Sequence, residues 1–373
     1  MIRFIHSSDL HLGKRFGRFS GDLPSRLREA RHTVIARLAN HARAQGATTI
    51  LLAGDTFDTE TPAPDVRRQA LAAMCEHAQI RWVVLPGNHD SLQATQLWDT
   101  LKTEAPDNVV LAIEPRPIAL AENAVLLPAP CTTRRPGRDL TEWMDGAATA
   151  EGIFRIGLAH GAIQTFSEEF ASSDVIAPGR ARRAGLDYLA LGDWHGAIAI
   201  DPRTHYSGTP EPDRFKHDRP GAALLVSIPA ATAEPEVTSL DTESFSWRTL
   251  ALHLLDGDDA VAALNTLLPP AGRRQALAQV VATGRSRLGQ RTALANAIAR
   301  VEPDFAFLEL DDAGLATECE VEDLDQIDRA GALREAAKAL LAEAEDESRT
   351  SADREIARAA LARLYSYAQA VTP

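Results

Sequence analysis

The sequence predicts an α/β fold, with one large sheet-rich domain followed by a small β/α unit and C-terminal helices. A chain of 373 residues exceeds what a single core usually holds. Short apolar runs alternate with helical patterns through its first half, as when strands feed helices in a layered sheet. Helical stripes dominate again only near the end. Hydrophobic residues make up 45% of the chain and charged residues 24%, the balance of a globular protein, and no apolar run approaches the roughly 18 residues of a membrane span. The opening "MIRFIHSSDL" turns polar too early for a signal peptide, so a cytoplasmic protein with no membrane segment is expected.

Taken in order, "IRFIHS" reads as a strand. "SRLREARHTVIARLANHARAQG" sets Leu27, Ala30, Val34, Ile35, Leu38 and Ala42 on one face and stops at Gly46, as an amphipathic helix does. Strand "TTILLAG", helix "DVRRQALAAMCEHA" and strand "IRWVVLPG" follow, and a further helix is expected at "SLQATQLW" with Asp90 as its cap. After residue 105 helices thin out, and "NVVLAI", "AVLLPAP", "FRIGLAHG", "DYLALGD" and "GAALLVSI" read as strands between Pro, Gly and Asp turns. The small, polar stretch "AATAEPEVTSLDTES" reads as an edge turn or boundary. Domains are expected at 1–245, 246–322 and 323–373. The middle one contains "WRTLALHLL", "QALAQVVATGRSRL", "RTALANAIARV" and "FAFLEL". In the last, Leu324, Ile327, Leu333, Ala337, Leu340, Leu341 and Ala344 form one helical stripe. Ile356, Ala360, Leu361, Leu364, Tyr365 and Ala368 form a second, and such stripes either pack on their own domain or dock a partner.

The net charge is −13, but its distribution matters more than its sum. Residues 301–350 hold 16 acidic against 4 basic residues, leaving 36 acidic and 35 basic elsewhere. A polyanion is therefore not repelled by residues 1–300, which carry basic clusters at Lys14, Arg15, Arg18, Arg26 and Arg28, at Arg134, Arg135 and Arg138, and at Arg180, Arg182 and Arg183. Only Lys14, Arg15 and Arg18 lie beside the candidate site, which makes them the candidate nucleic-acid contacts. Cys75, Cys131 and Cys319 lie far apart with no C-x-x-C spacing, so neither a disulfide framework nor a thiolate zinc site is expected, only buried or inert thiols.

Five strand ends finish in one kind of chemistry. "HSSDLHLG" gives Asp9 and His11; "LLAGDTFD" gives Asp55 and Asp58; "VLPGNHDS" gives Asn88, His89 and Asp90; "GLAHG" gives His160; "LALGDWHG" gives Asp193 and His195. Each apolar run supplies a rigid strand, and each glycine lets the chain turn so that the next side chains project from the sheet's carboxyl edge. Asp, His and Asn together form an oxygen and nitrogen donor set suited to manganese, magnesium, iron or zinc. Asp9, His11, Asp55, Asn88, His160, Asp193 and His195 are too many ligands for one ion. Two ions sharing a carboxylate at roughly 3.5–4 Å would use them all.

D-x-H, G-D-x-x-D, G-N-H-D, H-G and a terminal G-x-x-H, in this order, resemble the five motifs of the calcineurin-like metallophosphoesterases over residues 9–195. The resemblance implies a two-sheet sandwich flanked by helices. It also implies one metal on Asp9, His11, Asp55 and His195, with Asp55 bridging to a second held by Asn88, His160 and the residue at 193. There the chain departs from the family, reading G-D-W-H in place of the usual G-H-x-H. Asp193 is then a ligand, or else an outer acceptor or the mark of a vacant second site. "HSSDLHLG", "GDTFDTETP", "YSGTPEPDRF" and the β/α appendage are most similar to SbcD-type nuclease subunits, whose C-terminal part binds an SbcC-like ATPase. Homodimerisation is a further expectation.

The implied chemistry is phosphodiester hydrolysis, with manganese the leading metal: two cations lower the pKa of a shared water so that hydroxide attacks phosphorus in line. His89, beside a ligand but outside the metal set, is the candidate acid or transition-state donor. Asp58 is expected to fix its tautomer through the other ring nitrogen. His6, within a strand, is expected only to pack. DNA is the leading substrate. The other readings are a hydrolase of small phosphoesters or nucleotides and a non-enzymatic scaffold in an ATPase complex.

Overall fold

The computed structural model describes residues 1–163, 176–216, 219–318 and 331–371. They divide into two compact units, Met1–Ser246 and Trp247–Pro373. In the first, β1 (Ile2–Ser7), β2 (Thr49–Leu52), β3 (Arg81–Val84) and β4 (Val109–Leu111) run parallel, and β11 (Ala222–Ile228) and β12 (Glu236–Asp241) continue the sheet antiparallel, in the order β12-β11-β1-β2-β3-β4. The second sheet contains β5 (Ile118–Ala121), β6 (Ala124–Ala129), β7 (Phe154–His160), β8 (Tyr188–Gly192), β9 (Ile198–Asp201) and β10 (Thr204–Tyr206) in the order β5-β6-β7-β8-β10-β9.

Period-two alternation builds the layers. Within β1, Ile5 joins the core formed with Val34, Ile35 and Leu38 of helix α1 (Leu23–Ala44), while Phe4 turns the other way, into a core shared with Leu126, Ile156 and Leu158 of the second sheet. The sheets thus face one another, with α1, α2 (Pro64–Cys75) and α3 (Thr95–Glu104) outside the first. A third core, with Leu127, Leu189 and Leu191, covers the outer face of the second sheet. Beside it, the short α4 (Arg180–Arg183) ties buried Arg180 to Asp139 at 2.7 Å and Asp145 at 2.5 Å. That arginine is a structural cation, not a surface one.

Several details differ from the expectations. "AATAEPEVTSLDTES" contains the edge strand β12, whose largely exposed polar residues mask its pattern. Asp90 caps no helix: α3 begins at Thr95, and the fully buried Asp90 carboxylate accepts from Gly87 N at 2.7 Å and Phe57 N at 3.0 Å. Burial raises its pKa to about 7. Cys75 is exposed; Cys131 is buried, which pushes its thiol up to about 12, and Cys319 lies outside the described residues.

The second unit has a three-stranded sheet in the order β13 (Ser246–Leu254), β14 (Ala276–Arg287), β15 (Phe307–Glu318), with β14 and β15 parallel. Helix α5 (Ala260–Leu267), which the sequence pattern did not announce, is capped by Asp259, which accepts from Val261 N and Ala262 N at 3.0 Å. It packs with α6 (Leu288–Val301) on that sheet through Leu264, Leu294 and Ile298. The expected division after residue 322, with Leu324 and Ile327, lies outside the described residues. Helices α7 (Ala332–Glu345) and α8 (Ser351–Val371) close over Leu288 of α6 through Ala337, Leu361 and Tyr365, with Leu333 and Ile356 exposed. Among the described residues no helix is long and apolar enough to cross a membrane.

Candidate metal centre

The carboxyl ends of β1, β2 and β3 in one sheet meet those of β7 and β8 in the other. The loops after β1 and β2 are zipped together, Asp9 N donating to Gly54 O at 3.1 Å and His11 N to Asp55 O at 3.0 Å. Asp9, His11, Asp55 and Asp193 all have positive φ, at 55°, 44°, 52° and 99°, a region L-residues rarely adopt. Backbone strain is concentrated where the side chains must converge. Two glycines permit the approach: a Cβ on Gly54 would stand 2.3 Å from His160 Nδ1, and one on Gly192 would stand 2.0 Å from Ala53 O.

All seven candidate ligands come together. His11 Nε2 is 3.9 Å from Asp9 Oδ1 and 3.8 Å from Asp55 Oδ2, and His195 Nε2 is 3.9 Å from Asp9 Oδ1. On the other side of Asp55, His160 Nε2 is 3.5 Å from Asp55 Oδ2 and 3.8 Å from Asp193 Oδ1. Asn88 donates its amide to Asp193 Oδ1 at 3.2 Å, and the Asp193 backbone N donates to Asp9 Oδ2 at 3.1 Å. Asp55 thus stands between two groups of donors, with its other oxygen accepting from His89 N at 2.8 Å.

Proton positions follow from the partners. His160 Nδ1 lies 2.8 Å from Ala53 O, which can only accept, so in the neutral ring the proton sits on Nδ1 and the lone pair on Nε2. His195 Nδ1 bonds Asp213 Oδ1 at 3.1 Å, which fixes the same tautomer there, while His11 Nδ1 lies 3.2 Å from Asp58 Oδ1 without a hydrogen bond. His195 thus turns its Nε2 lone pair towards His11 Nε2, 3.2 Å away, where a cation could take both ring nitrogens. Buried His160 Nε2 and Asn88 Oδ1 have no hydrogen-bond partner either, so the donor set fits divalent ions.

Burial and charge oppose one another here. Burial would raise the Asp55 carboxyl, but the His160 and His11 rings hold it below its ordinary range. Burial would lower His160, yet Asp55 raises it well above the usual imidazole value. At Asp193 burial prevails and its carboxyl is raised. Burial lowers His11 despite Asp58 and Asp55.

Two expected contacts fall elsewhere. His89 Nδ1 bonds the backbone oxygen of Asp58 at 2.9 Å, while the Asp58 carboxylate serves His11 and Lys14, the latter at 3.6 Å. Lys14 reaches Asp213 at 2.8 Å, and Arg18 stacks on Phe19 and Phe215 with centroid distances of 5.3 and 5.4 Å. Of the three candidate phosphate contacts, Lys14 is thus committed to carboxylates, while Arg15 and Arg18 are exposed. Asp213 was not singled out in the sequence, although the segment "YSGTPEPDRF" that carries part of the subfamily likeness contains it. It lies among prolines in "PEPDRF", at no spacing that relates it to His195. His6 is fully buried, its Nε2 against Leu191 O at 3.1 Å and its Nδ1 against the Tyr188 hydroxyl at 3.0 Å.

The family profile described as calcineurin-like phosphoesterase matches residues 2–227. The chain belongs to this family. A curated relative, the SbcD component of the nuclease SbcCD from Rhodobacter capsulatus, is 26% identical over 259 residues, which cover 57% of this phosphoesterase and 62% of the relative. Solved structures similar to this phosphoesterase include TT1561 of Thermus thermophilus, at 9% identity and TM-score 0.38, and a dimetal phosphatase from Danio rerio, at 11% identity and TM-score 0.35. Each alignment covers 64% of this chain and 98% of the other. The fold is that of the metallophosphoesterases, two mixed sheets flanked by helices, and the residue clusters suit divalent metal ions.

Proposed function

We propose that this phosphoesterase is a divalent-metal-dependent phosphodiesterase acting on DNA in repair, with manganese as the working metal. The observation that carries the hydrolytic reading is the pair of donor groups on either side of Asp55, each with an imidazole Nε2 turned inward. Asp9, His11, Asp55 and His195 would hold one ion, and Asp55, Asn88, His160 and Asp193 a second. When bound, such ions neutralise phosphate oxygens and bring the pKa of a shared water towards neutrality.

The chain's own residues supply the rest. His89 N fixes one Asp55 oxygen, leaving Oδ2 towards both His11 and His160. Because His89 Nδ1 donates to a carbonyl, its Nε2 carries a proton only in the imidazolium form, and it is that form which protonates the leaving oxygen. Support for DNA as substrate comes from the R. capsulatus relative, named as part of a nuclease. The same likeness supports an SbcC-like ATPase partner, for which Leu333 and Ile356, exposed on α7 and α8, are the docking candidates.

The test is hydrolysis of single- and double-stranded oligonucleotides, a chromogenic phosphodiester and a phosphomonoester, with and without manganese. Manganese-dependent cutting of oligonucleotides that collapses in Asp55→Asn, with loss of both metals, is the expected result. Phosphomonoester hydrolysis alone would replace this reading with that of a small-phosphoester hydrolase. DNA binding should weaken steeply with salt, which a small-molecule enzyme would not show.

A further inference from the structure

Trp194 stands between the candidate ligands Asp193 and His195, and its side chain is 40% exposed. Among the described residues of the first unit, it and Met1 are the large apolar side chains left exposed. It lines the same cleft as Asp55, Asn88 and His89. The opposite character of the wall comes from β9, an edge strand that turns Ile198 and Ile200, two residues apart, to one face and into this cleft, while Ala199 points away to solvent. Arg214, whose guanidinium is held by Asp213 at 3.1 Å, and the exposed Lys216 complete the lining.

A phosphate held at the ligand cluster needs none of this apolar surface. The cleft measures about 260 Å³. A cavity of roughly 150 Å³ accommodates benzene, so this one has room for a single heterocycle with part of its sugar. An indole beside a phosphate site, with cations at the margin, is what a planar base with a further phosphate would meet. We propose that Trp194 is a base-stacking platform, against which the nucleotide next to the scissile phosphate rests its base, with Lys216 facing that nucleotide's other phosphate. The proposal rests on the phosphodiesterase reading above and adds to it a subsite for one unstacked base. It makes Trp194 a specificity-determining residue, and the ligand class is a single-stranded oligonucleotide rather than a base-free diester.

The experiment compares a single-stranded oligodeoxyadenylate with a chain of the same length made of abasic residues, using the full chain, Trp194→Ala and Trp194→Phe. Binding is read by fluorescence anisotropy in EDTA, where no turnover is needed, and hydrolysis is then read with manganese. The wild type should bind the adenylate on the order of tenfold more tightly than the abasic chain. Trp194→Ala should lose that preference and Trp194→Phe keep most of it, and KM for the adenylate should rise in step with the loss of binding. Equal binding of both probes by the wild type, or a preference that survives in Trp194→Ala, would overturn the platform. Base-selective binding lost in Trp194→Ala without hydrolysis of either probe would uphold the platform and sink the phosphodiesterase reading instead.

Discussion

Asp213 Oδ1 lies 3.1 Å from His195 Nδ1 and holds the ring so that Nε2 faces His11 and Asp9. Burial would raise the Asp213 carboxyl, but His195, Arg31 and Lys14 keep it well below its ordinary range. The carboxylate thus joins the candidate ligand His195 to a buried arginine 4.0 Å away.

Asp213→Asn keeps an acceptor for the ring but removes the charge. Removing a carboxylate behind a ligating histidine costs about 10–100-fold in metal affinity, and that loss is expected here in a calorimetric manganese titration. An affinity equal to wild type would remove Asp213 from the site's account. Asp213→Ala should unfold more readily as well, because it deprives a fully buried arginine of its nearest carboxylate.

Replacing His89 and Asp58 should separate two roles. His89→Asn should retain metal and lose about 10²–10⁴-fold in rate, the usual contribution of a positioned acid. Because the backbone oxygen of Asp58 holds His89 and its carboxylate holds His11, Asp58→Asn should act through metal affinity rather than leaving-group protonation. The check is a pair of substrates with good and poor leaving groups: the His89→Asn deficit should shrink on the better one, the Asp58→Asn deficit should not.

Asp193 places an extra negative charge where the family usually has a neutral ring. Asp193→His should move the rising limb of the pH–rate profile downward and shift preference from manganese towards zinc, since a nitrogen donor replaces an oxygen. Asp193→Gly should weaken only the second ion and relieve the backbone strain of φ 99°, so its metal-free form should melt no lower than wild type. Metal affinities and pH profiles that do not change in either variant would show that Asp193 is no ligand.

His6 predicts the acid response of the metal-free fold. Burial, with His205 adding repulsion, lowers its pKa from 6.5 to about 3 although the Leu191 carbonyl opposes this. Below pH 6.5 the unfolded chain takes up a proton that the folded chain refuses, so stability falls as pH drops through that window, by up to about 1.4 kcal/mol per unit. Between pH 7.5 and 5 the wild type should lose about 2 kcal/mol more than His6→Gln in chemical denaturation in EDTA. Parallel losses would place the acid sensitivity elsewhere.

The sequence by itself determined the strands, the main helices of the first unit and the family, because apolar period and strand-end motifs are local signals. Asp9, His11, Asp55, Asn88, His160, Asp193 and His195 were all legible as candidate ligands, since each follows an apolar run. Tertiary structure alone decided what stands behind them. Asp213 reaches His195 only because the chain returns past β8 after β10, and Asp58 divides its carbonyl from its carboxylate between two histidines through a loop geometry that residue order does not encode. Asp90 read as a helix cap because acidic residues before a helical pattern usually are; here two buried backbone N–H groups in the neighbouring loops compete for the carboxylate and win. The exposed polar face of β12 concealed a strand, since an edge buries too little to show a period. Periodicity records which face of an element is apolar, and proximity across elements is settled only when those faces pack.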